Sequence, residues 1–272
     1  MVEMTLRRAR RPLDDEDGPM DLGLAGKRFA VTGGTRGIGR AVVEGLLAEG
    51  ASVAFCARTP DAVAEAQSEL TAGGATAVGS AVDVGDRTAV AAWVEASAET
   101  LGGLDGVVAN VSALAIPESA ENWRTTFEVD LMGTVGLVDA ALPFLLASGA
   151  GSIVSISSVS GREVDFAAGP YGTMKAAIIH YTQGLAYQLA GKGVRANSVS
   201  PGNTYFAGGV WPSIEENNPE LFAAALALNP TGRMATPEEV ANAVVFLSSS
   251  AASFITGTNL VVDGALTRGV QL

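Results

Sequence analysis

A tyrosine and a lysine stand four residues apart in the run Tyr171-Gly172-Thr173-Met174-Lys175. On a helix this spacing places the two side chains on one face, one turn apart. A phenol ionises only near pH 10 in water, so by itself it is a poor acid–base catalyst at neutral pH. A neighbouring ammonium group favours the phenolate and brings the phenol closer to the range of general acid–base catalysis. The pair therefore indicates proton transfer at an oxygen atom, although many helices contain this spacing by chance.

A serine near this pair strengthens the interpretation. Ser158 lies 13 positions before Tyr171 and follows the apolar run 153–157, which is typical of a buried strand. A hydroxyl group at the end of that strand could hydrogen-bond the same substrate oxygen that the tyrosine protonates. Ser158, Tyr171 and Lys175 are therefore the candidate catalytic residues.

A glycine-rich turn joins the first predicted strand, 27–32, to the first predicted helix, 40–49. Glycines permit a tight turn and let the backbone approach a pyrophosphate at the start of a helix. A purely structural turn would contain the same glycines, but the position between a strand and an amphipathic helix favours a dinucleotide site. The residues predicted to contact the cofactor here are Gly33, Thr35, Arg36, Gly37, Ile38 and Gly39.

Strands and helices alternate along the rest of the chain and must position these residues. Further strands are predicted at 51–56, 75–82, 106–110, 153–157, 194–199 and 259–262. Further helices are predicted at 61–72, 88–101, 171–190 and 237–247. The apolar runs are long enough for burial on both faces, which is typical of a Rossmann-type, doubly wound parallel α/β sheet of about seven strands. No break in composition divides 22–272, so this stretch is predicted to be one domain.

Composition excludes several classes of function. The chain has 272 residues, 48% hydrophobic residues and a net charge of −12, which argues against nucleic acid or an anionic membrane as partner. Cys56 is the only cysteine and His180 the only histidine, so no disulfide, no cysteine- or histidine-based metal site and no Ser-His-Asp triad is expected. We expect no apolar run to reach the roughly 18 residues that a membrane span needs. Cys56 is expected to be a small buried side chain, and His180 to pack or face solvent.

Residues 1–21 contain a group of arginines followed by a group of acidic residues, with no apolar stretch after them. This pattern predicts a disordered tail and disfavours a secretory signal. Met20 is an alternative start of the protein.

Taken jointly, these motifs resemble the short-chain dehydrogenase/reductase family, in its compact single-domain type. The resemblance covers about 22–265. Its Thr-Gly-x-x-x-Gly-x-Gly pattern is matched by Thr32, Gly33, Gly37 and Gly39. Its other motifs are matched by Ser158, Tyr171, Lys175, Asp83-Val84, Pro201-Gly202 and Asp263-Gly264.

The resemblance implies a nicotinamide cofactor and a definite chemistry. Tyr171 would donate a proton to a carbonyl oxygen while hydride reaches the carbon, and the reverse reaction would oxidise a secondary alcohol. Ser158 would position the oxygen, and Lys175 would favour the phenolate and hold the nicotinamide ribose. The resemblance also implies a small-molecule substrate, a mobile lid around 203–228, a homotetramer and a cytoplasmic protein.

The form of the cofactor is predicted from the residues after the second strand. A carboxylate there would bind the ribose 2′-hydroxyl, whereas arginine accommodates a 2′-phosphate. Arg58 in this position and Arg36 in the glycine turn favour NADP(H) over NAD(H), unless Arg58 stacks on adenine or faces solvent. The other cofactor contacts that the resemblance implies are Asp83, Val84, Asn110, Pro201, Gly202 and Thr204.

Three positions depart from the family pattern. The usual Asn-Asn-Ala-Gly is Ala109-Asn110-Val111-Ser112, and a threonine expected after Pro201-Gly202 is replaced by Phe206. Asp130 stands where the family has an asparagine that anchors a water behind the lysine. It could hold that water or pair with Lys175, and we count it as a fourth catalytic residue.

Alternatives remain open at this point. The same fold could act on an imine or use NAD(H), or the chain could be a cofactor-binding regulator without turnover. Aromatic residues of the lid favour an apolar or ring-bearing substrate, or they simply pack the lid; they are Tyr205, Phe206, Trp211 and Phe222. Three charged residues could contact polar substrate groups or lie in a solvated loop; they are Arg162, Glu163 and Asp165.

Overall fold

One parallel sheet organises residues 21–270, which are the residues described by the computed structural model. Within them the sheet has seven strands in the order β3-β2-β1-β4-β5-β6-β7, all parallel, which confirms the predicted doubly wound fold. The strands are β1 (Arg28–Thr32), β2 (Ser52–Ala57), β3 (Ala77–Ala81), β4 (Gly106–Ala109), β5 (Gly151–Ile156), β6 (Val194–Pro201) and β7 (Asn259–Val262). The disordered tail predicted for residues 1–21 lies, apart from Asp21, outside the described residues.

Helices cover both faces of this sheet. They are α1 (Gly37–Ala48), α2 (Pro60–Thr71), α3 (Arg87–Leu101), α4 (Ala120–Thr126), α5 (Gly133–Ser148), α6 (Pro170–Leu189), α7 (Val210–Asn217), α8 (Pro219–Ala227) and α9 (Pro237–Ser248). Several begin where capping chemistry predicts: Asp86 accepts hydrogen bonds from the first turn of α3, and Thr236 and Glu239 form a capping box on α9. The predicted helices at 61–72, 88–101, 171–190 and 237–247 are thereby confirmed to within one residue at each end.

The core lies in two apolar layers, one on each face of the sheet. Phe29 and Val31 of β1 enter the layer formed with α1 and α9, whereas Ala30 between them faces the layer formed with α3 and α5. This alternation follows from the two-residue period of a strand. Because both faces are covered, most strand residues are apolar, and the polar exceptions are concentrated in β6 (VRANSVSP).

A continuous helix runs from Ala120 to Ser148 through α4, a π-helical turn (Phe127–Met132) and α5. Within residues 21–270 it is the one helix long and apolar enough to cross a bilayer, with a mean hydropathy of 1.7 over an 18-residue window. The expectation that no segment reaches this length was therefore wrong. The apolar content has a structural reason, because Leu137, Val138 and Leu145 are fully buried in the core layer beneath α3.

The chain reverses its direction across the sheet at β1. The connection after β1 leads to β2 on one side, whereas β4 pairs with β1 on the other side. The loops at the carboxyl ends of β1 and β4 therefore diverge and leave a crevice, which is where open α/β sheets bind ligands.

Candidate active site

A cleft of about 470 Å³ opens at the carboxyl edge of the sheet, above this crevice. It brings together most of the residues that the sequence marked as functional. Those that line it are Gly33, Thr35, Arg36, Ile38, Arg58, Val84, Asn110, Ser158, Tyr171, Lys175, Pro201, Gly202 and Thr204. Four marked residues lie outside the lining, namely Gly37, Gly39, Asp83 and Asp130.

The glycine-rich turn has a backbone that other residues would strain. Gly33 and Gly37 have φ angles of +72° and +56°, in the left-handed region. Gly39 packs directly against this turn, so a Cβ at this position would collide with the carbonyl oxygen of Gly33. No side chain caps the start of α1, whose N-cap residue is Arg36. Its first N–H groups are thus available to an anion, and the cradle fits a pyrophosphate.

Asn110 ties the end of β4 to this turn. Its backbone N–H donates to Oγ1 of Thr32 over 2.9 Å. Its side-chain amide donates to the carbonyl oxygens of Thr32 and Gly33 over 3.0 and 3.3 Å. Asn110 therefore holds the two diverging loops of the crevice at a fixed separation.

Two arginines make one end of the cleft cationic, the end formed by the glycine-rich turn and the residues after β2. Arg36 and Arg58 line it with exposed side chains, and neither forms an ion pair with a described residue. No carboxylate of the described chain lines the cleft, although the whole sequence has a net charge of −12. Asp83 does not line the cleft, and its carboxylate accepts a hydrogen bond from the backbone N–H of Gly85 over 3.0 Å. Val84, the next residue, lines the cleft in its place.

The predicted catalytic side chains meet at the other end. Tyr171 lies in the first turn of α6, and Nζ of Lys175 is 5.6 Å from the centre of its ring, as the four-residue spacing predicted. Lys175 is only 2% exposed and donates to the carbonyl oxygen of Ile156 over 3.1 Å. Ser158 begins a single 3-10 turn after β5; its Oγ accepts from the backbone N–H of Ser160, and its own O–H donates to no described residue.

Asp130 lies directly behind the lysine. The π-helical turn carries it inward until it is completely buried, with Oδ1 3.3 Å from Nζ of Lys175. Of the two possibilities raised by the sequence, the structure shows the ion pair. Ser112 Oγ–H donates to Oδ1 over 2.6 Å and the backbone N–H of Ala113 to Oδ2 over 2.8 Å. The site analysis of the sequence missed Ser112, although its departure from the family glycine was a signal.

The lid segment covers the cleft with aromatic rings. Trp211 of α7 is buried, lines the cleft, and packs edge-to-face against Phe166 and Phe222 with ring centroids 6.2 and 6.3 Å apart. Phe206 packs on the glycine turn, where a Cβ added to Gly37 would lie 2.6 Å from its ring. Arg36 Nη1 donates to the carbonyl oxygen of Gly208 over 3.1 Å. Phe206 and Gly208 of the lid therefore both contact the glycine-rich turn. Sequence reasoning placed Phe206, Trp211 and Phe222 in the lid but did not count them as site residues, and it did not name Phe166.

Polar residues near the lid have structural partners. Glu163 accepts a hydrogen bond from the backbone N–H of Gly269, and Asp165 accepts one from the hydroxyl of Ser160 over 2.6 Å. Neither these residues nor Arg162 lines the cleft. The solvated-loop alternative therefore describes them better than substrate contact.

The two residues that the sequence set aside also lie away from the cleft. His180 is exposed on α6. Cys56 is fully buried in the core, as predicted, and burial raises the pKa of its thiol to about 12.

A phosphate cradle, a hydroxyl donor and a tyrosine beside a buried lysine share one cleft at the switch point of a doubly wound sheet. This combination defines a class of protein, the dinucleotide-dependent oxidoreductases that transfer hydride to or from an oxygen-bearing carbon.

Comparisons with known proteins give the family. The chain matches the sequence model described as "Enoyl-(Acyl carrier protein) reductase" over residues 33–267. It is 42% identical over 255 residues to isoepoxydon dehydrogenase patN of Penicillium expansum, covering 92% of this chain and 98% of that protein. It is 35% identical to 2-(S)-hydroxypropyl-CoM dehydrogenase 3 of Xanthobacter autotrophicus, covering 88% and 96%. L-sorbose reductase of Gluconobacter frateurii, solved with NADPH and L-sorbose, superposes with a TM-score of 0.84 at 29% identity, covering 92% and 100%.

The chain therefore belongs to the short-chain dehydrogenase/reductase family. It is an oxidoreductase of that type, which uses a nicotinamide cofactor and acts on alcohol or ketone substrates of small size.

Proposed function

We propose that the protein is an NADP(H)-dependent oxidoreductase that interconverts a ketone and a secondary alcohol, with Tyr171 as general acid and base. One observation carries the proposal. A single cleft holds Ser158, Tyr171 and Lys175 at one end and, at the other, two arginines that form no ion pair with a described residue.

The chemistry divides among these side chains. The bound nicotinamide supplies hydride in reduction and accepts it in oxidation. Ser158 donates a hydrogen bond to the substrate carbonyl oxygen and fixes its position. The Tyr171 hydroxyl gives its proton to that oxygen as the carbon gains hydride, so the C=O group becomes a CH–OH group. The Lys175 ammonium stabilises the phenolate that remains, and oxidation follows the same steps in reverse.

NADP(H) is proposed over NAD(H) because of the cationic end of the cleft. A 2′-phosphate needs cationic donors, whereas a free 2′-hydroxyl is bound by a carboxylate. Arg36 and Arg58 supply two guanidinium groups, and no carboxylate of the described chain lines the cleft. Both guanidinium groups are free of ion pairs with described residues, so binding a phosphate breaks no existing salt bridge.

The substrate is proposed to be neutral, with an apolar or ring-bearing body. The lid side of the cleft is formed by Leu114, Phe206, Val210 and Trp211. Among the described residues that line this end, Lys175 alone has a charged side chain, and it is already paired with Asp130. An anionic substrate would find no free cation here, and apolar side chains favour a hydrophobic substrate.

The proposal is tested by following cofactor absorbance with NADPH and NADH in parallel, over a panel of cyclic and open-chain ketones and secondary alcohols. Turnover is expected with NADPH, highest for neutral cyclic compounds, and Tyr171→Phe should abolish it. Tyr187→Phe is the matched control, because Tyr187 lies on the same helix with a side chain 91% exposed. Turnover that survives Tyr171→Phe would refute the acid–base assignment, and faster turnover with NADH would refute the cofactor assignment.

We also propose that the protein is cytoplasmic and assembles as a homotetramer. The high negative charge and the enzymatic class support the location, and the family resemblance supports the assembly. β7 lies at the edge of the sheet with all four residues half-buried, so it offers an edge to another subunit. Sedimentation equilibrium of the full chain should give four times the chain mass of 27.6 kDa, and a monomer would refute the assembly.

A further inference from the structure

A chain of polar contacts connects the loop after β4 to the catalytic helix. The Ser112 hydroxyl and the Lys175 ammonium share one oxygen of Asp130, at 2.6 and 3.3 Å. The backbone N–H of Ala113 occupies the other oxygen at 2.8 Å. Because Asp130 is fully buried and Lys175 is 2% exposed, these protein groups replace water around the carboxylate.

The hydroxyl of Ser112 is itself held in place. The backbone N–H of Leu114 donates to Ser112 Oγ over 3.1 Å, so the hydroxyl accepts on one side and directs its own hydrogen to Asp130. Leu114 has a φ of +50°, in the left-handed region that residues with a Cβ seldom adopt. The loop therefore contains a residue with a strained backbone next to the hydrogen bond between Ser112 and Asp130. Strain of this kind persists only where surrounding contacts determine the conformation.

Sharing one carboxylate oxygen has an electrostatic consequence. Each hydrogen bond that the carboxylate accepts stabilises its negative charge and weakens its attraction for a further cation. If the Ser112 hydroxyl is removed, Lys175 becomes the only side-chain partner of Asp130. The ammonium is then drawn more strongly to the carboxylate and has less effect on the Tyr171 ring, 5.6 Å away.

We propose that Ser112 is a positioning residue of this active site, which offsets part of the Asp130 charge and thereby keeps the Lys175 ammonium effective toward Tyr171. This inference rests on the proposed function, since it assigns Ser112 to the same site. It adds a residue of the cleft wall that acts on Tyr171 through Asp130 and Lys175.

Other charges near the pair are remote or exposed. Asp130 is the only described carboxylate within 4 Å of the Lys175 ammonium. Arg195, on a strand beside α6, donates to the carbonyl oxygens of Leu247, Ile255 and Ser249 instead. The remaining charged or titratable residues on α6 and on the elements packed against it are Glu121, Arg124, Glu128, Arg162, Glu163, Asp165, His180, Tyr181, Tyr187 and Lys192.

The test follows the ionisation of Tyr171 by tyrosinate absorbance, as the difference between each variant and the same variant carrying Tyr171→Phe. We expect Ser112→Ala to move the midpoint up by about 0.5 pH unit, because the carboxylate charge is less offset. Asp130→Asn should move it down by about 1 pH unit, because an anion near the ammonium is lost. In the Asp130→Asn background, Ser112→Ala should cause no further shift. The pH profile of alcohol oxidation should move in the same directions.

Two further variants separate this assignment from simple disruption of the loop. Ser112→Thr keeps the hydroxyl and should restore the original midpoint. Ser160→Ala removes a serine–aspartate hydrogen bond of the same 2.6 Å length at Asp165, which faces no lysine, and should leave the midpoint unchanged.

The proposal is overturned if Ser112→Ala leaves the midpoint in place, or if its shift persists without the Asp130 charge. The absorbance titration needs no substrate, so it decides the inference even if the ketone panel shows no turnover. Absence of turnover combined with the expected shifts would reject the proposed function and keep the coupling of Ser112 to Tyr171.

Discussion

Removing the two arginines of the cleft should weaken NADPH binding selectively. Arg36 and Arg58 line the end of the cleft that is proposed to receive the adenosine phosphate, and neither has an acidic partner among the described residues. The variants are Arg36→Ala, Arg58→Ala and the double substitution. Arg58→Ala is the cleaner of the single variants, because Arg36 also donates a hydrogen bond to the lid at Gly208.

The size of the effect follows from exposure. Both side chains are exposed, so water screens their charges. Unit charges 4 Å apart attract by about 1 kcal/mol in water. A phosphate monoester carries between about −1.5 and −2 charges at pH 7. Each arginine therefore contributes about 1 to 2 kcal/mol, which is roughly a tenfold change in Kd. The double variant should bind NADPH about 100-fold more weakly, and NADH should be affected little.

Isothermal titration of the chain with each cofactor measures this directly and needs no substrate. The matched control is Arg162→Ala, because Arg162 is an exposed arginine near the lid that does not line the cleft. Affinity for NADPH should also fall with added salt in the parent chain and less so in the double variant. Equal losses for NADPH and NADH, or the same loss in Arg162→Ala, would show that the arginines do not recognise the 2′-phosphate.

Three further outcomes follow from particular contacts. Gly39→Ala should destabilise the fold by about 1 to 3 kcal/mol in urea denaturation, since its Cβ would meet a backbone oxygen, whereas Gly73→Ala, with open space around it, should be nearly neutral. Burial raises the pKa of the Cys56 thiol to about 12, so iodoacetamide at neutral pH should react only after unfolding; equal rates before and after would contradict this. Hydrogen bonds from Arg233 hold the pKa of Glu239 at about 2, below its ordinary 4.5, so its stabilisation should be complete above pH 4.5 and disappear as the pH falls toward 2. The denaturation midpoints of the parent and Glu239→Gln should then converge across that window, and a constant difference would contradict the assignment.

The sheet was predictable because its signals are local. Each strand is a short apolar run between turn residues, and the structure places all seven within two residues of their predicted ends. The first helix begins at Gly37 and not at Arg40, because its first residues belong to the glycine-rich turn, which the amphipathic pattern does not include. The two lid helices were not predicted, because Pro212 inside α7 and the Asn218-Pro219 break between them read as loop.

The spatial arrangement of the catalytic side chains was predictable where one helix carries two of them. Tyr171 and Lys175 share a helix, so their separation along the chain fixes their arrangement in space. The contact of Ser112 with Asp130 joins residues 18 positions apart, through a π-helical turn whose extra residue rotates Asp130 inward. No local pattern reveals that turn. The sequence raised the Asp130–Lys175 pair only as one alternative, and the structure was needed to choose it.

The two contacts between the lid and the glycine-rich turn limit how substrate specificity can change in this fold. In the proposed function, residues 33–58 contact the cofactor and 203–228 form much of the substrate wall, so exchange of the two segments between homologues looks straightforward. Yet Phe206 packs on Gly37, and Gly208 accepts a hydrogen bond from Arg36. A lid grafted from a homologue would pack in the same place only if it kept an aromatic ring at position 206 and a free backbone carbonyl at position 208. Residues of the lid from Val210 onward can therefore be exchanged by themselves to change substrate preference. The residues before Val210 have to be exchanged together with the glycine-rich turn that they contact.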